Sequence, residues 1–206
     1  MNRLIPLSVV AALVLFTGVA TAQKAKVIGS AHDINTAGCL SCHAPHNGSV
    51  ATGGTDQTTG RILLWDRAFS AQTFGTYDSP TMDSKATEVG GLPLSATEAR
   101  MYSMLCMSCH DGVTTPTLIG PTDKHAVGNP TNSAGLTNDH PVNMAYDPTK
   151  DTGLAAITAV TTAGLKLYGT TNTMQCASCH NPHDNTISKF LRKSNAGSGL
   201  CITCHL

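Results

Sequence analysis

The sequence predicts a chain that is mostly coil with a few short α-helices, and two features of its composition support this. Gly and Pro supply 19 and 10 of the 206 residues, and both residue types interrupt regular helices and strands. Aromatic residues are only 4% of the chain, so few large side chains are present to build a core. A chain of this length can bury a core. Because it has few large side chains to fill that core, we expect a non-protein group to fill part of the interior.

The N-terminal segment has the pattern of a secretory signal peptide over residues 1–22. Arg3 precedes an apolar stretch over residues 4–19, and the small residues 20–22 form a cleavage site before Gln23. A membrane anchor is the alternative, but the apolar stretch is short. No other segment is long and apolar enough to span a bilayer. These features predict an exported protein without a membrane span after signal cleavage.

The strongest helix signal lies at about residues 96–108. Ser95 and Glu98 have the spacing of a capping box, and Gly112 follows near the expected end. Met101 and Met104 share one face of this helix, which favours packing. A short helical turn is expected at Cys201. Gly-, Thr-, Asn- and Pro-rich loops are predicted over 47–60 and 121–150, and 155–168 could be helix or strand.

All eight cysteines belong to four C-x-x-C pairs, and a histidine follows each pair. Disulfide, zinc and thioredoxin-like sites also use paired cysteines, but none of them requires a histidine directly after every pair. C-x-x-C-H is typical of covalent c-type haem attachment. We therefore predict four c-type haems, with iron ligated on one side by the adjacent histidine. The motifs are Cys39, Cys42 and His43; Cys106, Cys109 and His110; Cys176, Cys179 and His180; and Cys201, Cys204 and His205.

Five further histidines are available for the opposite side of these irons. His46 and His183 each follow a proximal histidine by three residues, a distance of at most about 10–11 Å when extended. Such a segment cannot easily pass around its own macrocycle, so each should ligate a neighbouring haem. His32 and His140 complete the predicted distal set, and His125 is the expected spare. Methionine is the alternative axial ligand, but the histidines suffice for every site.

The second ring nitrogen of a ligating histidine usually has a hydrogen-bond partner. Asp33 adjoins His32, and Asp139 adjoins His140. We expect either these carboxylates or backbone carbonyls to fill this role.

The four motifs alternate between two kinds. The first and third read CLSCHAPHN and CASCHNPHD, whereas the second and fourth lack the Pro-His pair. This order predicts a tetrahaem domain over 23–206. It would contain a two-haem module at about 23–120, a linker at about 121–170 and a second two-haem module at about 171–206.

Several segments resemble the multihaem c-type cytochromes, and more narrowly the outer-surface tetrahaem cytochromes that polymerise into extracellular filaments. The matching segments are HDI before CLSCHAPHN, LLWDRAFSAQTFGTYDSPTMD, LCMSCHDG, LTNDHPVNM, CASCHNPH and FLRKSNAGSGLCITCHL. The resemblance implies stacked bis-histidine haems, with His32, His46, His140 and His183 as distal ligands. It also implies that one distal histidine comes from an adjacent subunit, and His32 is our candidate.

These observations predict an electron-transfer protein rather than an enzyme, because an iron with two histidine ligands has no open position. The near-neutral chain does not indicate nucleic acid as a partner. The expected partners are other copies of the chain, redox-partner cytochromes or extracellular electron acceptors. An extracellular or outer-surface filament subunit is our first hypothesis. A monomeric shuttle in the periplasm or at the cell surface is the second, and a multihaem reductase with one open haem is the third.

Overall fold

Short helices and two-residue strands, separated by long loops, make up the described part of the protein. The computed structural model describes residues 26–44, 54–55, 63–92, 94–95, 97–111, 136–137 and 139–206. The helices are α1 (Met101–His110), α2 (Ile157–Thr162) and α3 (Cys176–Cys179). The 3-10 helices are Ile34–Thr36, Gly38–Ser41, Ser188–Phe190, Ala196–Ser198 and Cys201–Thr203. The predicted fold class, mostly coil with a few short helices, is confirmed.

Three small sheets, which the sequence did not indicate, join distant parts of the chain. β1 (Gly54–Thr55) pairs in parallel with β4 (Leu94–Ser95). β2 (Thr73–Phe74) and β3 (Val89–Gly90) are antiparallel, as are β5 (Met144–Ala145) and β6 (Thr173–Met174). In β3, Gly90 has a φ of +138°, and a Cβ atom there would lie 2.4 Å from the Gln72 carbonyl oxygen. Only glycine fits this position.

The longest helix, α1, begins later than predicted. The expected start near residue 96 is wrong, because Ser95 lies in β4 and the chain turns before the N-cap, Arg100. The Ser95 N–H does donate to Glu98 Oε1 at 3.1 Å, so the capping pair exists ahead of the helix. Arg100 donates to the Gly91 carbonyl at 2.8 Å, which anchors the true start. The predicted stop at Gly112 lies outside the described residues.

Two apolar clusters form the core of the described residues. The first buries one face of α1, which confirms the expected packing of Met101 and Met104. The second surrounds α2, whose Val160 is fully buried. Since α2 lies within residues 155–168, the segment that could be helix or strand contains a helix. The first cluster comprises Phe69, Phe74, Val89, Leu94, Met101, Met104, Met107 and Leu136. The second comprises Tyr146, Ala155, Val160, Leu165, Met174 and Cys204.

Several sequence predictions fall on other parts of the chain. The signal peptide over 1–22 lies outside the described residues, as does most of the loops over 47–60 and 121–150. The helical turn expected at Cys201 is present as the 3-10 helix Cys201–Thr203. Within the described ranges, no helix is long and apolar enough to cross a membrane.

Candidate haem-binding sites

Each C-x-x-C-H motif occupies a helical turn. The second motif forms the end of α1, and α3 is the third motif. The first and fourth motifs lie on the 3-10 helices Gly38–Ser41 and Cys201–Thr203. Where the motif is a separate turn, the histidine N–H donates to the carbonyl of the first cysteine, at 3.0 Å for His43, 3.1 Å for His180 and 3.0 Å for His205. Both thiols and the imidazole therefore belong to one turn, as attachment to a single porphyrin requires.

An antiparallel β-bridge holds the histidine of three motifs against a distant residue. In each bridge, the carbonyl of the second cysteine accepts a hydrogen bond, and the residue after the histidine donates one. The three motifs thus have the same backbone arrangement, which no single stretch of sequence reveals. The bridges are His43 with Trp65, His180 with Leu191, and His205 with Leu154.

Two of these bridges are preceded by paired residues in the left-handed region. Leu63 and Leu64 have φ values of 52° and 56°, and Lys189 and Phe190 have values of 61° and 57°. This conformation costs a non-glycine residue about 1–2 kcal/mol. In return, the Leu63 carbonyl accepts a hydrogen bond from His43 Nδ1 at 2.9 Å.

The second left-handed pair supports His180 in the same way, since the Lys189 carbonyl accepts from His180 Nδ1 at 2.8 Å. His140 Nδ1 donates to the Pro141 carbonyl at 3.0 Å. A histidine that donates through Nδ1 keeps the lone pair of Nε2 for a metal. These three rings are therefore held in the tautomer that ligates iron through Nε2.

Three imidazole pairs have the spacing of axial ligands on opposite sides of an iron. An imidazole nitrogen binds a transition metal at about 2.0–2.1 Å and lies about 1.1 Å from its ring centroid, so two imidazoles on opposite sides of one metal would have centroids about 6.2–6.4 Å apart. The centroids are 6.1 Å apart for His43 and His183, 6.2 Å for His32 and His110, and 6.4 Å for His140 and His205. Every pair combines one motif histidine with one predicted distal histidine.

His180, of the third motif, is the motif histidine outside these three pairs. His46 and His125 lie outside the described residues. The sequence predictions for these two histidines therefore stay predictions.

His32 is half-buried. Its ring stacks on Phe190 at 4.2 Å, with an angle of 26° between the planes. Burial, and then the neighbouring His110, lowers the pKa of His32. Burial likewise lowers the pKa values of His140 and His183. Lowered values favour the neutral imidazole that binds metals. The placement of His32 beside His110 does not support its donation to another subunit.

The expected carboxylate partners are wrong. Asp33 accepts hydrogen bonds from the Gly29 and Gly38 N–H groups, both at 2.7 Å, and these bonds lower its pKa. It therefore shapes the loop before the first motif instead of orienting His32. For His140 the backbone alternative holds, because the Pro141 carbonyl meets its Nδ1.

Cysteines of consecutive motifs are neighbours. The neighbouring Cys176 raises the pKa of Cys106, and Cys106 in turn lowers the pKa of Cys176. Burial and then the nearby Cys109 raise the pKa of Cys42. Burial, and then the nearby Cys204, raises the pKa of Cys179 to about 11. The second motif thus adjoins the first and third, and the third adjoins the fourth.

Comparison with known protein families adds a match at the C-terminal end. Residues 170–206, which contain the third and fourth motifs, match the family model of the doubled CXXCH motif. The match supports a multihaem c-type cytochrome. In such a protein the C-x-x-C-H motifs indicate covalently bound haem with iron, and the general role is electron transfer. Most such cytochromes are exported. No curated protein matches the chain.

The residues present fit this prosthetic group on two independent grounds. Each motif offers two thiols and an imidazole on one turn. Three motif histidines also face a second imidazole at the separation that one iron requires. Bound haem would supply a one-electron Fe(III)/Fe(II) couple at each such position.

Proposed function

We propose that this protein transfers electrons through a chain of four bis-histidine c-type haems. The observation that carries the proposal is the spacing of the three histidine pairs, 6.1–6.4 Å between ring centroids. Hydrogen bonding or packing alone does not require a motif histidine to face a second imidazole at this separation three times. Two trans imidazoles on an iron do require it.

The ligand pairs follow from these contacts. The first site uses His43 and His183, the second uses His110 and His32, and the fourth uses His205 and His140. His46 is then the remaining predicted ligand for the third site, opposite His180, from the same chain or from a second copy. In this assignment His46 and His183 each serve the haem of the other's motif, which ties the first and third sites together.

A closed coordination sphere favours electron transfer over catalysis. An iron that keeps both imidazoles cannot bind a substrate. The protein residues then have three tasks, which are to hold the macrocycle through its cysteines, to keep Nε2 available through Nδ1 hydrogen bonds, and to limit access of water. For this reason we propose that the protein is not an enzyme.

The finer proposal is a subunit of an extracellular filament built from copies of this chain. Its support is the resemblance described above and the exposure of apolar residues at the first and fourth motifs, where Leu40 is 56% exposed and Ile202 64%. Redox-partner cytochromes or extracellular acceptors would exchange electrons with the ends of the assembly. A monomeric shuttle in the periplasm or at the cell surface is the alternative.

Spectroscopy of the purified holoprotein tests the electron-transfer proposal. We expect every iron to be six-coordinate and low-spin at neutral pH, by absorbance and electron paramagnetic resonance (EPR). A substantial high-spin fraction would instead support a reductase with one open haem.

Electron microscopy and light scattering over a range of protein concentrations test the filament proposal. Polymers are the expected result. A protein that stays monomeric at high concentration would leave the shuttle as the function.

A further inference from the structure

Helix α1 makes buried hydrogen bonds to the haem sites on both sides of its own. Ser103 and Ser108 are its two fully buried serines, at 0% and 1% exposure. Their hydroxyl groups contact different neighbours, the third motif and the segment that supports the first. Since α1 ends in the second motif, these contacts connect three consecutive sites.

Ser103 joins the second and third sites through one hydroxyl. It lies three residues before Cys106, on the neighbouring turn of the helix. Its Oγ donates to Gln175 Oε1 at 2.6 Å and accepts the Cys176 N–H at 3.1 Å. Cys176 is the first cysteine of the third motif, so the hydroxyl holds the backbone of one attachment site against the helix of another.

The hydrogen bonds of Ser103 continue through the buried Gln175 to an exposed hydrogen bond at the surface. Gln175, at 1% exposure, donates from Nε2 to Asn143 Oδ1 at 3.0 Å. Asn143 donates in turn to Thr87 Oγ1 at 2.7 Å. Buried polar groups that lose a partner are costly, so the buried bond between Ser103 and Gln175 resists a change in the separation of α1 and α3.

Ser108 joins the second site to the first. It lies between Cys106 and Cys109, and its Oγ accepts the Trp65 Nε1–H at 3.1 Å. Trp65 forms the β-bridge with His43, and its ring meets the His43 ring edge-on at 5.7 Å. The residue after Trp65 donates its N–H to the Cys42 carbonyl at 2.9 Å. Trp65 therefore links the first attachment turn directly to α1.

We propose that α1 is a spacer that fixes the distances between haems, with Ser103 setting the second-to-third distance and Ser108 setting the first-to-second distance. Both serines are positioning residues, and this inference rests on the proposed function. Reduction of one haem changes the electrostatic potential at its neighbours, and that interaction weakens with distance. Each serine therefore controls the redox interaction of one particular pair of haems.

The test compares Ser103→Ala and Ser108→Ala holoproteins, each serving as the matched control for the other. Both remove one buried hydroxyl from the same helix. A redox titration followed through the NMR signals of the haem methyl groups reports the interaction of each haem pair. We expect Ser103→Ala to reduce the second-to-third interaction and to leave the first-to-second interaction at its wild-type value. Ser108→Ala should give the reverse pattern.

Equal changes at both pairs in either variant, or no change at any pair, would overturn the spacer proposal. Should Ser103→Ala fail to assemble, Gln175→Leu removes the bond between Ser103 and Gln175 and keeps the bond between Ser103 and Cys176. It should cause a smaller loss at the same second-to-third pair, and an unchanged pair would count against the proposal. Failure of the proposed function would be distinguishable, because the wild-type protein itself would lack four low-spin haems.

Discussion

Replacement of His183 by alanine should alter a haem that is attached elsewhere in the sequence. His183 follows the third motif, but its ring faces His43 of the first motif at 6.1 Å. The Lys26 N–H binds the His183 carbonyl at 2.8 Å, and the His183 N–H binds Asn181 Oδ1 at 3.2 Å. These backbone contacts do not involve the imidazole, so the loop should keep its position in His183→Ala.

The size and identity of the signal follow from the structure. One iron in the proposed set of four loses a ligand, so about a quarter of the low-spin iron should become high-spin. The ring planes of His43 and His183 differ by only 21°, whereas the other two pairs differ by 83° and 66°. Near-parallel imidazoles interact with the same iron d orbital and split the d-orbital pair strongly, while near-perpendicular ones leave it almost degenerate.

EPR of the oxidised holoprotein separates these cases. His183→Ala should lose a rhombic low-spin signal and keep the strongly anisotropic signals, and added imidazole should restore the lost one. His140→Ala is the matched control, since it should remove an equal share of low-spin iron from an anisotropic signal. Loss of the ligand at the haem held by Cys176 and Cys179 in His183→Ala would refute the assigned pairing.

Three further substitutions test the supporting contacts. Lys189→Pro should convert about one haem in four to high-spin by absorbance, because proline holds φ near −65° and Lys189 has a φ of 61°. Lys189→Gly, the control, should stay low-spin. Identical spectra of the two variants would contradict the role of the Lys189 carbonyl at His180. Tyr146→Phe should lower the free energy of unfolding in guanidinium by about 1–3 kcal/mol, because the Tyr146 hydroxyl donates to a buried carbonyl at 2.7 Å. Burial, and then the nearby Cys204, raises the Tyr146 pKa from 10.0 to about 12, so the wild-type contribution should be complete below pH 10 and be lost between pH 10 and 12. A Phe variant with the same alkaline loss would count against this. Asp33→Asn should flatten the acid limb of the stability curve. Backbone N–H groups lower the Asp33 pKa below 3.8, so the contribution of this carboxylate to stability is present above that pH and is lost as the pH falls further. An unchanged acid limb in thermal melts would argue against this role.

The parts of the fold that depend on local sequence could be predicted. A chain rich in Gly and Pro gives mostly coil, and the helical structure expected at the second and fourth motifs is present. The predicted start of α1 is wrong although Ser95 and Glu98 do form the expected local contact. Strand pairing of Ser95 with Thr55, 40 positions earlier, places that contact before the helix.

The parts of the site that depend on long-range contacts could not be predicted. Leucine, lysine and phenylalanine carry no sequence signal for the left-handed region, so neither left-handed pair is visible before the chain is folded. The partner of each distal histidine is likewise set by tertiary packing. Sequence reasoning could propose that His183 ligates a neighbouring haem, but only the folded chain places its ring beside His43. The buried role of Ser103 had no signal at all.

Intact-mass spectrometry of the mature holoprotein tests the central proposal most directly. We expect the mass of the polypeptide plus four haem groups, with every one of the eight cysteines bound as a thioether. A mature, redox-active protein with fewer than four covalently attached haems would contradict the proposed chain of four bis-histidine sites.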